Sequence, residues 1–222
     1  MLNGFLPLIV LAALLRPTVA AEPEDTDGAS RAFARYVASV QHTASWSPET
    51  IEIEASLPKL KKRGHLRAIR RLNPSGNADY QVLEIAGDRT VRQQVIERYL
   101  TAQMTAAEIP AASVAMTPAN YEFHYKGAVR IADTVAYIFQ IKPHKKRIGL
   151  ISGELWLDAE TGAAIRQQGR LVKSPSLFVK SIGIDREIVL SSGVAQKFLT
   201  HLSVDTRLVG LADLTVTESP LR

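Results

Sequence analysis

The feature that most constrains the fold is a one-for-one alternation of apolar and polar side chains that recurs through the second half of the chain. Its clearest instance runs from Gly153 to Lys173, GELWLDAETGAAIRQQGRLVK. Leu155 and Leu157 fall on one side of an extended chain, with Glu154, Trp156 and Asp158 on the other, the pattern of a half-buried strand. Ala159-Glu160-Thr161-Gly162 supplies turn chemistry, and Ala163 to Val172 brings the chain back as the partner strand. Tyr121, Phe123 and Tyr125 repeat the design with Glu122, His124 and Lys126 opposite. Val135, Tyr137, Phe139 and Ile141 repeat it again, and Pro143 ends that strand. Leu177 to Leu190, with Gly183 as a point of bending, Gln196 to Leu208 and Leu211 to Thr217 continue the succession.

The first half mixes two periods. Thr50 to Ala55 alternates strictly, with Ile51 and Ile53 on one face and Glu52 and Glu54 on the other. Lys59 to Leu72 reads as a strand with Leu60, Leu66 and Ala68 on one face, turning at Asn73 to Asn77 into another that runs to Ile85. Phe33, Val37 and Val40 recur at helical spacing and predict a helix capped by Asp27 or Ser30 and ending near Thr43. Val91, Val95 and Tyr99 predict a second from Arg89 to Met104, and 106–118 reads as a loop. About nine strands joined mostly by short turns, with two helices, predict an α+β fold. Its form is an antiparallel sheet curved into an unclosed β-barrel, a half-barrel, with helices covering the concave side; a β-sandwich with peripheral helices is the alternative. The 222 residues, 46% hydrophobic and 22% charged, hold ample material for one core, and residues 22–222 read as a single domain.

Residues 1–21, MLNGFLPLIVLAALLRPTVAA, have the form of a signal peptide. The apolar run from Phe5 to Leu15 suits a signal and is too short to span a bilayer as a helix. Thr18 to Ala21 offer small residues for cleavage, although no Lys or Arg precedes the run and Arg16 follows it. A short membrane anchor is the other reading. With no cysteine anywhere, neither lipid attachment through a Cys nor a disulfide is available, and the periplasm is the compartment that fits best.

Catalytic signatures are missing where they would be expected. The five histidines are scattered without metal-ligand spacing, so no metal site is predicted. Ser174 and Ser176 lie in KSPS, a turn, and not in a GxSxG elbow. Glu154 and Asp158 share a strand face about 13 Å apart, too far for a glycosidase pair. No Gly-rich phosphate loop is present. These observations predict no catalytic residues, no cofactor and no enzyme.

Two surfaces remain. The run Lys59, Lys61, Lys62, Arg63 and Arg67, continued by Arg70 and Arg71, together with His144 to Arg147, is a candidate contact for anionic headgroups, phosphates or an acidic partner. Alternatively it is a solvated edge strand that discourages sheet-to-sheet association. The net charge of +5 is mild, and aromatic residues are not interleaved with the run, which argues against nucleic acid. The second surface is the apolar face of Tyr121, Phe123, Tyr125, Tyr137, Phe139, Ile141, Leu155 and Leu157. It is either ordinary core or, if the sheet stays open, the lining of a cavity for acyl chains.

The hairpin of Trp156, Asp158, Thr161, Gly162 and Arg166 resembles a pattern of the periplasmic outer-membrane lipoprotein carrier superfamily, the LolA/LolB-like proteins with their RseB and LppX relatives. The order of elements over residues 28–218 is similar too. The resemblance implies a half-barrel whose concave face holds lipid or the acyl chains of a lipoprotein, with a helix as lid. A membrane-bound donor or acceptor protein is an expected partner, and the basic run makes peripheral contact with an anionic membrane a further expectation. The expected function is that of an exported binding or carrier protein. A periplasmic sensor or regulator of RseB type, acting by protein–protein binding, is the second expectation.

Overall fold

A computed structural model describes residues 21–22, 25–40, 49–72, 78–131, 134–191 and 194–221. The sequence alternation is realised as one antiparallel sheet. Its strands are β1 (Ala21–Glu22), β2 (Glu49–Leu57), β3 (Lys62–Leu72), β4 (Ala78–Gly87), β5 (Tyr121–Ile131), β6 (Thr134–Pro143), β7 (Ile151–Asp158), β8 (Ala164–Leu171), β9 (Val179–Ser191), β10 (Val194–Thr206) and β11 (Gly210–Pro220). Their order across the sheet is β1-β5-β6-β7-β8-β9-β10-β11-β2-β3-β4, so β1 and β4 are edges that never meet. The barrel is unclosed, and a single sheet leaves no room for the sandwich alternative. The expected signal at 1–21, apart from Ala21 in β1, and the turn at 73–77 lie outside the described residues.

Register assigns one face to the interior along the whole sheet. Phe139 stands opposite Leu155, and Leu155 opposite Gln167. Ile184 faces Leu202, Leu202 faces Leu214, and Val216 faces Ile53, which faces Leu66. A slip of one residue anywhere would turn this apolar row outward, so the alternation itself fixes the pairing. The backbones of β7 and β8 approach each other closely at one point. Gly153 and Gly169 are paired there, and a Cβ on Gly153 would lie 2.0 Å from the Gln168 carbonyl oxygen. Only a strand without side chains tolerates that approach.

Two helical covers split the interior into two cores. Helix α1 (Thr26–Val40) lays Ala29, Ala32, Phe33, Tyr36, Val37 and Val40 on β5, β6 and β7. Its cap is Asp25, whose carboxylate accepts from the Gly28 amide at 2.8 Å, ahead of the Asp27 or Ser30 expected from sequence. The second cover is a continuous run of α2 (Arg89–Val91), a π-helical turn (Arg92–Ile96) and α3 (Glu97–Ala107), longer by three residues than the spacing predicted. Asp88 caps it, accepting from the amides of Thr90 and Val91 at 2.7 and 3.4 Å. Val91, Val95 and Ile96 pack on Ile51, Ile53, Leu57, Leu66, Leu214 and Val216. The segment 106–118 holds a short helix, α4 (Ala111–Val114), where sequence showed only a loop.

Candidate functional site

The inner face under α1 is the candidate site. Of the expected lining residues, Tyr121, Tyr137, Phe139, Ile141, Leu155 and Leu157 are buried, while Phe123 and Tyr125 are half-buried. The fold brings all eight into one cluster. Phe33 of α1 fills the middle of it, with ring centroids 4.8 Å from Phe123 and 5.3 Å from Phe139. This aromatic floor is thus occupied by the helix.

Polar contacts hold α1 in place at its two ends. Tyr137 donates its hydroxyl to the Asp25 carboxylate at 2.5 Å, and Tyr36 donates to the Met116 carbonyl at 3.0 Å. Arg35 bonds the Glu160 carbonyl in the β7–β8 turn. The Tyr137 bond, then the Gly28 amide, hold the Asp25 carboxyl below the usual aspartate range. The same bond, with burial adding to it, pushes the Tyr137 hydroxyl up to about 12. Burial raises the Tyr36 hydroxyl as well.

Between the two covers the inner face is only half-covered. Ile182 and Ile184 of β9 and Leu202 and Val204 of β10 are half-exposed there. Ile184 packs with the α1 core and its cross-strand neighbour Leu202 with the other, so this strip is the seam between them.

Toward one rim the inner face turns ionic. Glu49 and Glu218 are only 4% and 6% exposed. Arg70 bonds Glu49 and reaches Glu218 at 3.2 Å, while Arg186 reaches Glu218 at 2.8 Å and stacks 4.5 Å over the Phe198 ring. Burial raises the Glu49 carboxyl, and the Arg70 charge opposes that rise. The sequence held a signal for this network. Glu49 precedes Ile51 and Ile53, and Glu218 follows Leu214 and Val216, both in the apolar phase of their strands.

The hairpin motif lies on the outer face, where it is scaffolding. Asp158 accepts from the amide and hydroxyl of Thr161 at 2.7 and 2.6 Å, and Gly162 takes φ +75° to close the turn. Arg166 stacks 5.2 Å over Trp156 and makes two bonds to Asp185, at 2.9 and 2.5 Å. Glu154 accepts from Trp156 and Gln168. Beside the Gly153–Gly169 pair this face forms an open groove of about 640 Å³ lined by Glu154, Gln168, Asp185, His201 and Thr215 among others.

The basic run is divided by the fold. Lys62 pairs with Asp88 at 3.2 Å, Arg70 is half-buried on the inner face, and Arg67 stands between Glu52 and Glu84 on the outer face. Arg63 shares that outer face. Lys59 and Lys61 lie instead in the β2–β3 turn, where Leu60 is half-exposed outside any strand. Among the described residues no cluster of His, Asp and Glu has the geometry to hold a metal, and no helix is long and apolar enough to cross a membrane.

No protein-family model matches the chain, and no curated protein does. Among solved structures it is similar to the LolA superfamily protein NE2245 from Nitrosomonas europaea, at 9% identity and a TM-score of 0.45 over 87% of this chain and 93% of that one. It is also similar to MucB, at 11% identity and a TM-score of 0.27 over 90% and 95%.

Proposed function

We propose that this chain is an exported, periplasmic binding protein that shelters an apolar ligand, a lipid or the acyl chains of a lipoprotein, on the inner face of its open sheet. The observation that carries this reading is the half-exposed seam of Ile182, Ile184, Leu202 and Val204 between two separate helical covers. Apolar surface left beside a displaceable helix is where an acyl chain removes most water at least cost in protein–protein contacts. In this reading α1 is the lid: it withdraws Phe33 from the aromatic floor as ligand enters, and it returns on release. No bond is made or broken. Residues Phe5 to Leu15 supply the export signal. A membrane-bound donor or acceptor supplies or takes the ligand.

Native mass spectrometry of protein purified from cells tests this directly, with lipid extraction in parallel. Acyl lipid should co-purify, and Ile184→Asp should abolish its retention while leaving the sheet folded. Protein that neither carries lipid nor takes up a fatty-acid probe would sink the proposal.

A second reading, a regulator of RseB type, draws on a different observation. The edge strand β4 exposes Val82, Leu83 and Ile85 at 51%, 47% and 38%, and among the described residues no strand lies beside its outer backbone groups. An extended segment of a partner protein could add there as a further strand. A tight protein partner lost on Leu83→Lys, with an empty interior, would favour it.

A further inference from the structure

Antiparallel topology puts the long connection 88–120, with its second helical cover and Asp88, Glu97 and Glu108, on one rim of the sheet, and on the same rim four short ones: residues 58–61, 144–150, 172–178 and 207–209. They are far apart in sequence but linked in space. The Val172 amide bonds the Leu150 carbonyl at 3.0 Å, and Arg207 bonds the carbonyls of Phe178 and Leu177 at 2.9 and 3.0 Å. The Cβ position of Gly210 lies 3.6 Å from Lys59 Cδ. Each short connection puts a large apolar side chain into solvent: Leu177 is 90% exposed, Leu208 64%, Phe178 53%, Leu60 50% and Ile148 38%. Each of the four short connections also carries exposed cations, Lys59 and Lys61, Lys145 to Arg147, Lys173 and Arg207, and none of these four contains an Asp or Glu. On the opposite rim, the turn after β7 carries Asp158 and Glu160 instead.

We infer that this rim docks on a bilayer surface rich in anionic lipid, with Leu177, Phe178 and Leu208 entering the headgroup region and the lysines and arginines at headgroup level. Several apolar tips on separate loops, ringed by one sign of charge, suit a soft anionic interface. Their chemistry is that of interfacial anchoring, in which apolar burial and attraction to headgroups add. The docking stands on the rim alone, whether or not the inner face carries a ligand, and it places the loops beside the start of β9, where the seam opens.

The absence of cysteine allows a unique label. A polarity-sensitive fluorophore on Leu177→Cys in the full chain should shift to the blue and be quenched by lipid-borne quencher when phosphatidylglycerol vesicles are added. The same label on Glu160→Cys, at the opposite rim, should respond to neither. This pair separates the rim from any membrane affinity of the first twenty-one residues. Lys145→Glu with Lys146→Glu should weaken the Leu177 response at least tenfold, since each headgroup-level cation contributes about fivefold in affinity. Equal responses from both rims, no response at Leu177, or a response unchanged by the glutamates would overturn the inference. So would a Leu177 response to an acidic polypeptide but not to vesicles, which would make the partner a protein.

Discussion

The contact between Asp25 and Tyr137 shows how much can rest on one missing methyl group. A Cβ on Gly28 would sit 2.1 Å from the Tyr137 hydroxyl oxygen and 2.0 Å from an Asp25 carboxylate oxygen, so only glycine lets cap and sheet meet. Gly28→Ala should therefore undock α1 more than its higher helix propensity steadies it, read as lost amide protection in α1 with the sheet's protection intact. The latch also has a pH window. A carboxyl held low contributes above its unfolded pKa and stops contributing as pH falls through its lower folded value. A phenol held high contributes below about 10 and stops as pH rises through about 12. The anisotropy of a fluorophore on Ala34→Cys, on the exposed side of α1, should be level from about pH 5 to 9 and fall on both sides. Tyr137→Phe should lower the plateau and flatten both limbs; an unaltered profile would remove the latch from the account.

At the level of elements, the strands were legible and their partners on the interior were not. Two-residue alternation is local, so β5, β6, β7 and β8 could be read residue by residue, and their register followed from which side is apolar. Sequence reasoning placed Leu60 and Leu177 in strands because they continue that phase. In the structure they sit in turns, where a proline just before each, Pro58 and Pro175, has already broken the ladder. The grouping of Tyr121, Phe123, Tyr125, Tyr137, Phe139 and Ile141 with Leu155 and Leu157 was legible. That Phe33 would stand among them was not, because it depends on a contact between elements ninety or more residues apart. Phe33→Ala should cost about 2–3 kcal/mol for this half-buried ring in thermal unfolding. It should also raise uptake of an apolar dye, because it empties the floor. The ionic cluster makes the opposite case: Arg70→Met would leave Glu49 and part of Glu218 without a cation, and should cost about 3 kcal/mol in urea unfolding. The double change Arg70→Met with Glu49→Leu should recover much of that loss.

Taken whole, the molecule is one hydrogen-bonded ribbon carrying two independent cores. The α1 core is aromatic, the α2–α3 core aliphatic, and among the described residues Ile184 and Leu202 join them across β9 and β10. Unfolding should reflect this: amide exchange in β2, β3 and β11 should outlast that in α1, and the gap between them should widen as pH falls through the lowered range in which Asp25 takes up its proton. The seam has one more consequence. Strands β9 and β10 are paired from Ser191↔Val194 to Val179↔Thr206 with two irregularities, so a change in the angle between the two halves about that line would keep most rungs of the ladder, like the covers of a book on its spine. Such a change would set the width of the interior, and a slim guest and a bulky one would then meet the same walls at different spacing.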